Sequence, residues 1–244
     1  MKSYHAYLVS WLRKKLASAR AKGFIFGLSG GVDSALVASL LKEAAGERVL
    51  AVLMPIERDN EIANAQLVVN QLGIPSKLVD LSDVYRLLTT KLELSNHLSR
   101  INLMPRLRML TLYALGQERQ FLVIGTTNRA EWNLGYFTKH GDSGADLFPL
   151  LHLSKTQVWQ LARELKVPEK IIQQTPSANL YPGQSDEKEL GLSYLEIDAF
   201  LAGESVSVAS RQKIQDLVQT SAHKREPISS PLSPEEFANS AKGV

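Results

Sequence analysis

Hydrophobic positions change period repeatedly along the first half of the chain. Tyr4, Leu8, Trp11, Leu12 and Leu16 recur at helical spacing, which predicts an amphipathic helix ending at Gly23. Residues 24–28 form an unbroken apolar run, the pattern of a buried strand. They lead into a polar, glycine-containing segment at 29–34 and then into a helical stretch at 35–41. The alternation continues with a strand at 49–54 stopped by Pro55, a helix at 60–72 ending at Gly73, and a strand at 77–81. A helix at 109–118 and a fourth strand at 121–126 complete it. Continuous apolar strands separated by helices predict an α/β fold with a doubly wound parallel sheet covered on both faces. Crossovers in such a sheet are right-handed, and ligands bind beyond the carboxyl ends of its strands.

The second half reads differently. A helix is expected at 154–165, stopped by Val167-Pro168, followed by a polar loop at 173–184 containing Pro176, Pro182 and Gly183. Another helix begins near Asp186, with Asp186 and Glu189 at capping-box spacing. The tail beyond Pro227 is rich in Ser and Pro and is expected to be poorly ordered. Without internal repeats or low-complexity segments, residues 1–244 read as one compact domain with a helical C-terminal extension.

Composition narrows the chemistry. The chain has no cysteine, which removes disulfides, thiolate metal sites, cysteine nucleophiles and persulfide chemistry together. Its 28 Lys+Arg against 25 Asp+Glu are evenly spread, whereas a nucleic-acid binder needs a concentrated basic face; none is expected as a partner. The Arg13-Lys14-Lys15 cluster reads as a solvated helix face. No apolar run approaches the ~18 residues of a membrane span. The first 23 residues are broken by Arg13, Lys14, Lys15, Arg20 and Lys22, unlike a signal peptide. A cytoplasmic protein without a membrane partner is the expectation.

The strand-to-helix turn Ser29-Gly30-Gly31-Val32-Asp33-Ser34 lies where an anion site is easiest to build. A glycine pair lets backbone N–H groups approach oxygen atoms, and the following helix adds unpaired amides and the positive end of its dipole. Ser29 and Ser34 can donate to phosphate, and Asp33 makes sense beside phosphate if Mg²⁺ lies between them. The segment lacks the Gly-Lys-Ser/Thr ending of a Walker loop and the third glycine of a dinucleotide fingerprint. Two other readings stand beside this one. The serines and aspartate could simply cap a tight turn. Alternatively, Gly27-Leu28-Ser29-Gly30-Gly31 satisfies the G-x-S-x-G nucleophile elbow, with His152 or His223 as base and Asp142 or Asp146 as orienter. That second reading leaves Asp33 and Ser34 without a role.

The six residues from Ser29 to Ser34 resemble the pyrophosphate loop of the ATP pyrophosphatase superfamily. Gly125-Thr126-Thr127-Asn128-Arg129-Ala130-Glu131 and Gly135-Tyr136-Phe137-Thr138-Lys139-His140-Gly141-Asp142 resemble the second signature of NAD⁺ synthetases. Pro149-Leu150 with Lys155, Pro176-Ser177-Ala178-Asn179-Leu180, Gln184-Ser185-Asp186-Glu187 with Glu189-Leu190-Gly191, and His223-Lys224-Arg225 follow in that family's order.

The resemblance implies an adenine nucleotide alpha-hydrolase-like fold. It also implies the short, ammonia-dependent form without a glutaminase domain, which would make NAD⁺, AMP and pyrophosphate from deamido-NAD⁺, ATP and ammonia through an acyl-adenylate. By motif position, Asp33 and Glu131 would hold Mg²⁺. Gly27, Leu28, Ser29, Gly30, Gly31, Val32, Asp33 and Ser34, with Thr126, Lys155 and Ser177, would bind ATP, with Ser29 also acting in catalysis. Arg106, Lys139, Asp146, His223 and Lys224 would meet deamido-NAD⁺. Pro105 stands where the family usually has alanine; the helix is expected to start there, with Arg108 as substitute for Arg106. Tyr136 is a candidate stacking platform for the pyridine ring or else a core aromatic. Asp142 is the candidate for binding ammonium and delivering ammonia. The family is homodimeric, and residues 107–115 are expected at the interface. Residues 81–100 and 173–184 are expected to be mobile lids.

Overall fold

The computed structural model describes residues 1–57, 62–177, 180, 181, 183–226 and 230–240. Residues 60 and 61 of one expected helix, residues 178, 179 and 182 of the polar loop, and Pro227 at the start of the tail lie outside them. In chain order the elements are α1 (Lys2–Ser18), β1 (Gly23–Gly27), α2 (Val32–Ala45), β2 (Val49–Leu53), α3 (Ile62–Leu72), β3 (Ser76–Leu78), α4 (Ser82–Lys91) and α5 (His97–Arg119). There follow β4 (Phe121–Ile124), α6 (Arg129–Leu134), α7 (Lys155–Glu164), α8 (Glu169–Ile172), α9 (Asp186–Leu190), α10 (Tyr194–Leu201) and α11 (Val208–Thr220). A 3₁₀ turn (Ala222–Lys224) and α12 (Pro234–Ser240) close the described chain.

The sheet is parallel with strand order β3-β2-β1-β4, as the strand–helix alternation predicts. Residues on β1 point alternately to its two faces. Phe24 and Phe26 enter a core built with α1, α2, α3, α7 and α8. Ile25 enters a second core with Leu107, Met109 and Leu112 of α5. All three β1 side chains are fully buried, and each such burial contributes about 1.5–3 kcal/mol. A third cluster unites α6, α9, α10 and α11. Because β1 pairs directly with β4, the residues leaving their carboxyl ends emerge side by side.

Five expectations need correction. Helix α5 starts at His97 rather than at Pro105, because Asn96 caps it by accepting a hydrogen bond from Ser99 N–H at 3.0 Å. Pro105 sits buried inside the helix, facing the turn at Gly141, where an added Cβ would lie 3.2 Å from the proline Cβ. Residues 81–100 are not a loop: α4 fills half of the segment, anchored by buried Tyr85, and α5 begins within it at His97. Ser185, not Asp186, is the N-cap of α9, and Asp186 points inward. The tail carries the exposed helix α12, whose cap Ser233 accepts from Glu236 N–H. Strand β3 is shorter than expected because, at the sheet edge, it pairs only with β2. Among the described residues, no helix is long and apolar enough to cross a membrane.

Candidate active site

The polypeptide leaving β1 turns back on itself before α2. Gly30 has φ +85°, a left-handed backbone that glycine adopts without steric cost. Ser34 Oγ–H donates to Gly31 O at 3.0 Å, so the 3.1 Å contact between the two hydroxyls has Ser29 as donor. Ser29 Oγ also accepts from Gly31 N–H at 3.3 Å. The turn is therefore held by its own hydroxyls, part of what the capping reading expects. The nucleophile-elbow reading does not fit, since Ser29 is engaged with Ser34 and Gly31 while His152 and His223 are exposed.

Asp33 in the first turn of α2 meets the residues that follow β4. Its Oδ1 accepts from Asn128 Nδ2 at 3.1 Å and its Oδ2 from Lys155 Nζ at 2.5 Å. Asn128 caps α6 reciprocally: its Oδ1 accepts from Glu131 N–H, and its own N–H donates to Glu131 Oε2 at 3.0 Å. Asp33 and Glu131 thus face one cleft through a shared neighbour. Burial, then the Asp33 charge, pushes the Glu131 carboxyl up to about 8, with Lys155 and the Asn128 N–H opposing. Lys155 is almost wholly buried. Burial works against its charge, but Asp33, Glu131 and Asp186 outweigh it and hold the ammonium above its ordinary value. Asp186, raised by burial, is countered by Lys155 and by the hydroxyls of Tyr194 (3.0 Å) and Tyr136 (3.2 Å).

The second signature forms the facing wall. Phe148 packs over Gly125, where a Cβ would come within 2.2 Å of its ring. Trp132 stacks on Phe137 at 5.3 Å between centroids. Lys224 Nζ donates to Gly135 O (2.7 Å) and Phe137 O (2.8 Å) and lies over the Phe137 ring. Arg225 donates to Trp132 O and Val218 O, so the C-terminal turn braces this wall. Asp142 Oδ1 accepts from Thr138 N–H at 2.9 Å. Asp142 is itself solvent-exposed, but the protein packed around its carboxyl pushes that group above its ordinary value, opposed by its backbone hydrogen bonds and by Lys224 and Arg108. The Tyr136 hydroxyl lies between the carboxylates of Asp186 and Glu189, which share its one hydrogen, leaving its half-buried ring on the cleft wall.

The cleft between these walls has a volume of about 810 Å³, within the range of small-molecule sites. Gly27, Leu28, Ser29, Gly31, Val32, Asp33, Ser34, Thr126, Glu131, Tyr136, Asp142, Lys155, Ser177 and Lys224 line it, and Arg108 lines it in place of Arg106. Gly30 shapes the turn from behind. Arg106, Lys139, Asp146 and His223 are not part of this lining. Arg106 Nε donates to Lys139 O at 3.3 Å, and Lys139 Nζ to His223 O at 2.7 Å, so these three form one connected group. Asp146 accepts from Val123 N–H and Tyr113 O–H beside β4. Asn128 and Tyr194 carry no individual role in the sequence reading, and Asp186 only that of a helix cap. Asn128 lay inside the quoted signature; its type and its three-residue spacing from Glu131 were the available signal.

The family model described as NAD synthase matches residues 4–228. The NH(3)-dependent NAD(+) synthetase of Mycoplasmopsis pulmonis is 43% identical over 244 residues, covering 98% of this chain and 94% of that protein. Among solved structures, the NMN synthetase from Francisella tularensis superposes with a TM-score of 0.91 at 37% identity, covering 95% of this chain and 98% of that one. The NH3-dependent NAD synthetase from Campylobacter jejuni, in complex with the nitrate ion, gives 0.80 at 28% identity, with 95% and 99% coverage.

Proposed function

The chain belongs to the NAD synthase family, and from that premise we propose that it amidates the nicotinate carboxyl of deamido-NAD⁺ with ammonia at the expense of ATP. The observation that carries the reading is the meeting of Asp33 and Glu131, one from each neighbouring strand end, beside a glycine-cornered turn on one cleft.

Their donor chemistry suits a magnesium ion: both are hard oxygen ligands, and the acids Asp33, Glu131 and Asp186 share the single ammonium of Lys155. Among the described residues no three acidic or imidazole groups converge to hold an ion alone, so phosphate oxygens would complete the ligand set. Such an ion, when bound, neutralises charge developing on the triphosphate. The turn from Gly27 to Ser34 offers backbone amides and the α2 dipole to the phosphates. Thr126, Lys155 and Ser177 add donors. Lys155 can exchange its Asp33 contact for a phosphate oxygen.

A carboxylate oxygen of the pyridine ring then attacks the α-phosphorus, the bond to the bridging oxygen breaks, and pyrophosphate leaves. Ammonia attacks the resulting acyl-adenylate carbon, AMP departs, and one proton is lost. Asp142 suits the last task, because it lines the cleft and a carboxylate with a raised pKa is a stronger base toward ammonium. Tyr136 and Lys224 present a ring and a cation to the substrate. Arg106, Lys139, Asp146 and His223 would serve its distal half in a cytoplasmic homodimer. The exposed Leu98, Leu110 and Tyr113 of α5 support that assembly.

Incubation with ATP, Mg²⁺, deamido-NAD⁺ and ammonium tests the reading, the expected result being NAD⁺, AMP and pyrophosphate in equal amounts. ATP-independent turnover or none would overturn it. A second reading, amidation of nicotinic acid mononucleotide, is favoured by the close superposition on the Francisella NMN synthetase. Parallel assays of both acids decide between them. Only dinucleotide turnover should suffer from Asp146→Asn or Arg106→Ala.

A further inference from the structure

We propose that Asn128 is a positioning residue that holds Asp33 and Glu131 at the separation a divalent cation requires; this rests on the reading that those two acids bind the ion. Asn128 is completely buried, and both ends of its amide are used. Oδ1 accepts from Glu131 N–H at 3.1 Å, which leaves Nδ2 to face Asp33 Oδ1, also at 3.1 Å. Its main-chain N–H holds Glu131 Oε2 at 3.0 Å. One residue therefore contacts a carboxylate from each of two elements, α2 and α6, with Asp33 lying 95 residues before it in sequence.

Capping of α6 accounts for only part of this arrangement. A cap needs an acceptor, which serine, threonine, aspartate or asparagine supplies. The donor Nδ2 has no part in capping; its partner is the Asp33 carboxylate. Serine at this position keeps the acceptor but reaches Asp33 with neither the length nor the second polar atom. Aspartate would place a third carboxylate against Asp33. Asparagine alone among the good caps carries the acceptor for the helix and the donor for the neighbouring acid on separate atoms, with the length to reach both. The remaining Asp33 oxygen is held by Lys155, so the carboxylate plane is fixed from both sides.

The test separates cap from positioner. Asn128→Ser retains the cap, and the thermal midpoint of the metal-free protein should stay near wild type. Mn²⁺ binding to the complex with α,β-methylene-ATP, followed by electron paramagnetic resonance, should weaken by about 10–100-fold, the usual loss when a partner of a metal ligand is removed. The Mg²⁺ concentration for half-maximal turnover should rise in step, with kcat largely restored at high Mg²⁺. If Asn128→Ser lowers the midpoint substantially, Asn128→Thr, a second capping residue, is measured in its place. Mn²⁺ binding and Mg²⁺ dependence equal to wild type in the folded variant would overturn the proposal. Glu131→Gln serves as the reference. If it loses Mn²⁺ while the Asn128 variant does not, only the positioning role fails. If Glu131→Gln binds Mn²⁺ as wild type does, the metal reading itself fails.

Discussion

Lys155 Nζ lies 2.5 Å from Asp33 Oδ2, joining the first residue of α7 to the first turn of α2 across 122 residues of sequence. The ammonium is 2% exposed and the carboxylate 17%. Breaking a pair of this kind leaves a charge uncompensated, which costs about 3 kcal/mol or more. Lys155→Met should therefore lower the melting temperature of the metal-free protein by roughly 6–12 °C, measured by calorimetry. Catalysis with ATP should fall by about 100-fold, since an electrostatic contact to a phosphate goes with it. A melting temperature and kcat both near wild type would show that the pair matters to neither.

Asp142 gives a prediction with a definite sign. Its carboxyl is raised in the folded protein by the protein packed around it, although the residue is exposed to the cleft. The folded state therefore favours the protonated form, and the stability associated with that form is present below the ordinary carboxylate range and lost as pH rises through the raised value. Asp142→Asn should melt higher than wild type at neutral and alkaline pH, the difference vanishing below about pH 4. In activity the order reverses. Removing the proton acceptor should lower kcat by about 100-fold and abolish the acid limb of the pH profile. A variant with unchanged kcat and ammonia KM would remove Asp142 from the reaction.

Lys224 pulls the Asp142 carboxyl down while donating to the carbonyls of Gly135 and Phe137. Lys224→Met should therefore move the acid limb of kcat to higher pH and weaken the protein by about 1–3 kcal/mol through the bereft carbonyls. A pH profile superimposable on wild type would break the proposed electrostatic link.

Gly125 is the close-approach position behind Thr126. An alanine Cβ would lie 2.2 Å from Phe148 Cε1 and 2.6 Å from its Cδ1, so the ring or the strand end must move. Gly125→Ala should cost about 1–3 kcal/mol in urea unfolding and should reduce turnover further than that loss alone explains, because the turn carrying Asn128 shifts with it. Turnover equal to wild type would mean that the site absorbs the displacement.

The sheet and the phosphate-type turn were legible because their signals are local. Phe24-Ile25-Phe26 is apolar on both faces, and the glycine pair follows at once. The helix preceding β4 was read too short because proline is ordinarily a stop; buried against Gly141, Pro105 is carried inside a helix started by Asn96. Asp186 was misread for the opposite reason. Its spacing from Glu189 imitates a capping box, while its partners are hydroxyls brought in by tertiary packing, from Tyr136 fifty residues away and Tyr194 eight away. Asp33 and Glu131 were paired through sheet order and resemblance together. The ties of Arg106, Lys139 and His223 to one another run through main-chain carbonyls, and side-chain identity carries no trace of such contacts.

The brace supplied by Lys224 and Arg225 sets an order on biosynthesis. The glycine turn and β1 emerge from the ribosome well before Lys224 and Arg225, and until those two follow, the wall around Gly135 and Phe137 keeps its carbonyls untethered. A nascent chain can assemble the sheet first, but it acquires a finished reaction chamber only after residues 224 and 225 have emerged. Premature termination after α10 and before residue 224 should yield a folded floor with an unfastened side.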